Sequence, residues 1–183
     1  QNEGGFVGYD TQLFAYLAQN PFREAKSATT LTLDIPLEQH LDKREFFRGV
    51  ERSVEKSLIK EFERDPGGGY RMSDEVNRLN QPKSTAFGGK LWFLISGWTH
   101  SGGATLSSFA ANNDNVTFIG EETGGNRFAY TAGNMVLYTL PHTQCQLEVP
   151  MILYHNDTPK GDFPKSRGIL PHHPVTQSAA DFI

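Results

Sequence analysis

At 183 residues, with 37 % hydrophobic and 21 % charged side chains, the chain has the length and composition of a single globular domain able to bury a core. Its 17 basic and 21 acidic side chains leave a formal net charge of −4 with no basic run, which argues against a nucleic-acid partner. The lone Cys145 cannot close an internal disulfide, no Cys/His spacing offers a metal site, and no apolar run nears the length of a membrane span.

The opening QNEGG shows no signal-peptide pattern and reads as the interior of something longer. Its glycine turn passes into a short helix with Leu13, Phe14 and Leu17 on one side, and a turn of this kind ahead of a helix usually ends a strand. After Pro21, Thr29 to Ile35 alternates apolar and polar residues like a half-buried strand. Between Leu37 and Arg64, Phe46, Phe47, Val50, Val54, Leu58 and Phe62 form one stripe among charges, predicting an amphipathic helix that packs on the core or covers the site. The DPGGG run, Asp65 to Gly69, ends it, so residues 37–69 read as a helical insertion within the domain. Tyr70 to Gly89 reads as irregular.

Next comes KLWFLISGWTHSGGATLSSFAANN, Lys90 to Asn112, the stretch on which the rest is organised. It predicts a buried strand at Leu91 to Ile95, a sharp turn at Ser96 to His100 and a helix from near Ser101. A helix N-terminus offers unpaired N–H groups and the positive end of a dipole, so a hydroxyl carried there is placed as a nucleophile would be. The competing reading is that Thr99 or Ser101 only caps the helix. Val116 to Ile119 then predicts a strand ending in the acidic, glycine-rich loop GEETGGN, Gly120 to Asn126, at the strand end where open α/β folds put their sites. Asn134 to Leu140 and Gln146 to Tyr154 read as two strands about a Pro141 to Thr143 turn, and Pro159 to Ile183 as a loop feeding one edge segment. No repeat or linker marks a second domain.

Other candidates compete with plainer roles. His100 adjoins Ser101, but neighbours at a helix start point to different sides. His172 and His173 are bracketed by proline and lack a third ligand. Glu121 and Glu122 could orient a base, bind a substrate amine or simply be solvated. Thr99 stands where a nucleophile elbow has glycine, which argues against an α/β-hydrolase.

Three segments taken together resemble the C-terminal processing peptidases, or tail-specific proteases, in their tricorn-like branch. QNEGG is similar to the end of the family's D-L-R-x-N-x-G-G motif. GWTHSGGATLSSFAANNDNVTFIGEETGGN is similar to its T-x-S-A-x-E helix, strand and G-E-x-T-x-G, and RGILPHHPV to its closing G-V-x-P-D-x-x-V. Order and intervals agree over almost the whole chain. The resemblance implies an α/β (α+β) fold of the ClpP/crotonase-like β-β-α superhelix type, of which residues 1–183 are the later part of the catalytic domain. It implies a serine endopeptidase acting near protein C-termini or on unstructured peptides, with Ser101 as nucleophile and the Gly102 amide as one oxyanion donor. The Gly4-Gly5 turn, through Gly5, would supply the second. No cofactor is implied. Partners would be peptide or protein substrates, together with an N-terminal portion or a second copy covering exposed sheet edges. The family's habits point to the periplasm or to secretion.

The departures bear on the proton. The family's lysine base aligns with Asn126, which cannot accept one. The tricorn-type histidine would lie upstream of Gln1, its supporting glutamate aligns with Lys165, and the motif's last aspartate is His172, a second candidate base. Gly102 and Gly103 replace the usual alanines. A non-catalytic module carrying apolar ligands on the same scaffold is the alternative, and a crotonase-like acyl-CoA enzyme, lacking a nucleotide-phosphate patch, ranks last.

Overall fold

The computed structural model describes residues 5, 8–42, 50–157, 164–176 and 178. In chain order the elements are α1 (Tyr9–Phe14), β1 (Ser27–Thr30), α2 (Val50–Glu61), β2 (Phe62–Arg64), β3 (Tyr70–Met72), β4 (Leu91–Ile95), α3 (Gly102–Ala110), β5 (Val116–Gly120), β6 (Ala129–Thr131), β7 (Met135–Thr139), β8 (Gln146–Pro150), β9 (Leu153–His155) and β10 (His173–Pro174). They are mixed helix and strand, as an α/β fold requires. They fall into two compact units, one of Gln1–Lys26, Leu79–Tyr130 and Asn156–Ile183, the other of Ser27–Arg78 and Thr131–His155.

The first unit is built on a parallel sheet of order β10-β5-β4. β4 and β5 run in register from Leu91 opposite Val116 to Ile95 opposite Gly120, with α3 as the crossover a parallel pair needs. One sheet face, through Ile95 and Phe118, packs on Phe109 and Ala110 of α3 and on Phe14 and Ala18 at α1, all at most 5 % exposed. The Phe14 and Phe22 rings meet edge to face at 4.8 Å. Each such aromatic contributes about 1.5–3 kcal/mol by leaving water. The other face is open, with Trp92 61 % and Leu94 80 % exposed. The strand at Leu91 to Ile95 is therefore half-buried and not buried, because only one of its two faces meets a helix layer among the described residues. The edge segment expected from GILPHHPV is β10, paired parallel to β5 with His173 opposite Ile119.

The second unit carries an antiparallel run β2-β3-β1-β9 and a β7-β8 hairpin. Its core joins Val54 and Leu58 of α2 and Phe62 of β2 to Val136, Tyr138 and Ile152. The predicted stripe thus packs on a core, though Phe62 has already passed into a strand, and Phe46 and Phe47 lie outside the described residues. Three local expectations are corrected. The strand placed at Thr29 to Ile35 ends at Thr30, because the Thr30 hydroxyl donates to the Thr32 carbonyl (3.0 Å) and the Thr32 hydroxyl accepts the Asp34 N–H (3.1 Å), turning the chain. DPGGG joins two strands: Gly68 and Gly69 have positive φ and the Asp65 carboxylate accepts the Gly67 N–H, so Tyr70 to Met72 is β3, not irregular chain. The run Gln146 to Tyr154 breaks after Pro150 into β8 and β9.

Candidate active site

β4 ends at Ile95, and the next six residues make a turn closed on its own hydroxyls. The Thr99 N–H donates to the Ser96 carbonyl (2.8 Å), while the Thr99 hydroxyl accepts the Ser96 N–H (3.1 Å). Both residues are buried, at 7 % and 5 % exposure, so these bonds are shielded from water. Thr99 is thus occupied in shaping the turn and does not cap the helix.

Ser101 is left with φ 51° and ψ −131°, a conformation that costs a residue with a Cβ about 1–3 kcal/mol. It stands at the N-cap of α3, yet its side chain makes no capping hydrogen bond. The exposed hydroxyl bonds to nothing among the described residues, whereas the Ser101 carbonyl accepts the Thr105 N–H (3.0 Å). The Gly102 amide, the first of the helix, is likewise unengaged. The strained residue therefore presents a bare hydroxyl beside a bare N–H at the positive end of a helix. Such strain persists only where its surroundings over-determine it.

Those surroundings are the GEETGGN loop and the segment from Lys165 to Val175. The Glu121 N–H donates to the Ile95 carbonyl (2.9 Å) and the Gly125 N–H to the Thr99 carbonyl (3.1 Å), tying the loop to both ends of the turn. The approach is close enough that a Cβ on Gly124 would overlap the Gly97 carbonyl oxygen, and one on Gly120, at φ 121°, that of Ile95. Behind the loop, Thr123 and Ile169 exchange a pair of bonds: Thr123 N–H to the Ile169 carbonyl (3.1 Å) and Ile169 N–H to the Thr123 hydroxyl (2.8 Å). Glu122 accepts a two-pronged ion pair from Arg167 and the Gly168 N–H (2.8 Å). Hydrogen bonding from Arg167 holds the Glu122 carboxyl below its ordinary pKa. Glu122 is an ionised anchor, a use the sequence does not distinguish from a solvated one.

None of the residues considered as a base is hydrogen-bonded to Ser101 among the described residues. Asn126 fixes the loop: its side-chain oxygen accepts the Phe128 and Ala129 N–H groups (2.7 and 3.1 Å), and its amide donates to the Lys165 carbonyl (3.0 Å). The aligned positions Asn126 and Lys165 therefore do meet, through that carbonyl. His172 is occupied too. Its Nδ1 accepts the Phe118 N–H (2.8 Å), its own N–H donates to the Phe118 carbonyl, and its ring stacks on that of Phe118. His100 gives its carbonyl to the Gly103 N–H, and its imidazole makes no hydrogen bond among the described residues. Gly5 is exposed, and no hydrogen bond ties it to the turn; Gly4 lies outside the described residues. No group of three His, Cys, Asp or Glu among the described residues could hold a metal. Sequence reasoning missed the positive φ of Ser101 and the Ser96–Thr99 lock. A β-strand followed by two hydroxyl residues three apart was the available signal for the lock.

No protein-family model and no curated protein sequence matches the chain. Among solved structures it is similar to mature CPAF complexed with lactacystin, at TM-score 0.55 and 16 % identity over 94 % of this chain and 37 % of that one. A serine-to-alanine mutant of CPAF is similar at TM-score 0.50 and 13 % identity, over 97 % of this chain and 37 % of that one. The chain thus spans a little over a third of the length of the structures it matches, and at these identities the likeness is one of fold.

Proposed function

We propose that this chain carries the nucleophile and one oxyanion donor of a serine peptidase of the tail-specific type, on a ClpP/crotonase-like scaffold. The observation that carries the reading is Ser101 itself: a strained, uncapped serine between a strand and a helix, its hydroxyl beside the open Gly102 amide. CPAF, the fold neighbour, is a serine protease, and its bound lactacystin and serine-to-alanine form accord with this.

In the mechanism the Ser101 oxygen attacks the scissile carbonyl carbon while its proton passes to a base. The carbonyl oxygen becomes an oxyanion, which accepts a hydrogen bond from the Gly102 N–H. Collapse breaks the C–N bond as the base returns its proton to the departing amine nitrogen, leaving an acyl group on Ser101, which water then removes. One such donor is worth about 10²–10³-fold in rate. Among the candidate bases, Asn126 and His172 are committed elsewhere. His100, whose imidazole is unbonded, makes no hydrogen bond to Ser101, so the base falls to a group not hydrogen-bonded to Ser101 among the described residues. Substrates are proteins or unstructured peptides, met in the periplasm or outside the cell.

The test is labelling of the full-length protein that carries this chain by a fluorophosphonate probe, with the modified residue mapped by mass spectrometry. Labelling at Ser101 that vanishes in Ser101→Ala is expected. A folded protein that takes up no probe overturns the reading and leaves the apolar-ligand module in its place.

A further inference from the structure

The closing segment reaches β5 through Pro171, His172, His173 and Pro174, and its two prolines have no N–H to donate. His172 makes up for them. Its backbone N–H donates to the Phe118 carbonyl (2.8 Å), its Nδ1 accepts the Phe118 N–H (2.8 Å), and its ring stacks on that of Phe118 at 5.6 Å and 17°. A side chain thus stands where a backbone carbonyl would serve in an ordinary ladder. Phe118 is buried, so its N–H depends on that acceptor. An imidazole nitrogen accepts a hydrogen bond only while it carries no proton, so His172 is here the neutral form with its hydrogen on Nε2. The family that the chain resembles has aspartate at this position, so the arrangement is this chain's own. The same segment braces the site: Arg167 and the Gly168 N–H hold Glu122, and Ile169, three residues before His172, exchanges bonds with Thr123.

We propose that His172 is an acid-sensitive clip, which fastens the closing segment to β5 at neutral pH and releases it when the imidazole takes up a proton. On protonation the Nδ1 lone pair is lost, and a new N–H there faces the N–H of Phe118, two donors with no acceptor between them. β10 then loses its side-chain tie, and the brace at Arg167 and Ile169 loses the anchor beside it. Of the elements packed around Phe118, β4 and α3 carry no titratable side chain, α1 carries Tyr9 and Asp10, and β10 carries His173, while Asp114 and Glu121 flank β5. Glu122 keeps its charge in mild acid, because Arg167 holds its carboxyl below the ordinary 4.5, so the ion pair is not the tie that gives way. The clip is a property of the fold and does not depend on Ser101 being a nucleophile.

The experiment is hydrogen–deuterium exchange of the full-length protein that carries this chain, at about pH 7.5 and about pH 5.5, on either side of ordinary histidine titration. Rates are corrected for the intrinsic pH dependence of amide exchange and read as protection. Protection of the peptide spanning β5 should fall at least about five-fold at the lower pH, the equilibrium change for one lost hydrogen bond, while that of α2 in the other unit stays constant. His172→Asn offers a side-chain acceptor that takes up no proton, so it should keep full protection at both values. His172→Phe keeps a ring without the acceptor and should show the lower protection at both. His173→Asn should leave the response intact. Constant protection of β5 in the wild type, a fall shared equally by α2, or a fall that survives in His172→Asn overturns the clip. The wild-type comparison alone decides the first two of these, whether or not a variant folds.

Discussion

Replacing Ser101 by glycine should stabilise the protein relative to replacing it by alanine, although both changes delete the same hydroxyl. At φ 51° and ψ −131° any side chain bearing a Cβ is strained by about 1–3 kcal/mol, which alanine keeps and glycine relieves. Glycine offsets part of that through a freer unfolded chain, about 0.4–1 kcal/mol. The hydroxyl makes no capping bond, so its loss is common to both variants and nearly neutral. The net difference is about 1 kcal/mol in favour of glycine, or about 2–4 °C in Tm for a domain of this size. Both tryptophans, Trp92 on β4 and Trp98 in the turn, belong to the unit that carries Ser101, so their fluorescence during urea unfolding reports this unit. Midpoints compared at equal slope give the difference. If Ser101→Gly is no more stable than Ser101→Ala, the turn stores no strain and the argument from an over-determined serine fails.

Gly124→Ala should cost about 1–3 kcal/mol by forcing a Cβ onto the Gly97 carbonyl, read by the same urea titration; wild-type stability would mean the loop stands farther from the turn than described. Glu122→Gln should show a pH signature. The folded pKa of Glu122 lies below its ordinary 4.5, so its stabilisation is present above that value and is lost as pH falls through the folded pKa. The gap between wild type and variant should therefore be widest near neutrality and close in acid, and a gap independent of pH would contradict the Arg167 pairing. Leu58→Ala, at a residue with 0 % exposure, should destabilise the second unit by about 2–5 kcal/mol as followed by far-ultraviolet circular dichroism, and a loss below about 1 kcal/mol would place Leu58 outside the core.

The sequence was most legible where one periodicity ruled. LWFLI between Lys90 and Ser96 gave a strand with the observed bounds, and Val54 and Leu58 fell on the buried side of a helix. It was least legible where side-chain hydroxyls and glycines decide the path. Thr30 and Thr32 cut short a strand that alternation alone would have continued, and DPGGG, a helix breaker by composition, works as a hairpin turn through its positive φ angles. At the site, the motif located Ser101 and the loop at Gly120. The role of Glu122 was not readable, because its partner Arg167 lies 45 residues away and ion pairs leave no local periodicity. The exposed face of β4 was hidden for the converse reason: an apolar run looks the same whether or not a second layer covers it.

The bonds that brace the loop behind Ser101 are made by residues translated well after it. Ile169 reaches Thr123 across 46 residues and His172 reaches Phe118 across 54. At synthesis rates of about 5–20 residues per second, those separations amount to a few seconds in which turn, loop and helix exist without Glu122's partner or the third strand. Parallel pairing between distant segments is also slow to form. The geometry around Ser101 is thus completed only once residues 167–172 have emerged, and a nascent chain that stops short of them holds the serine without that bracing.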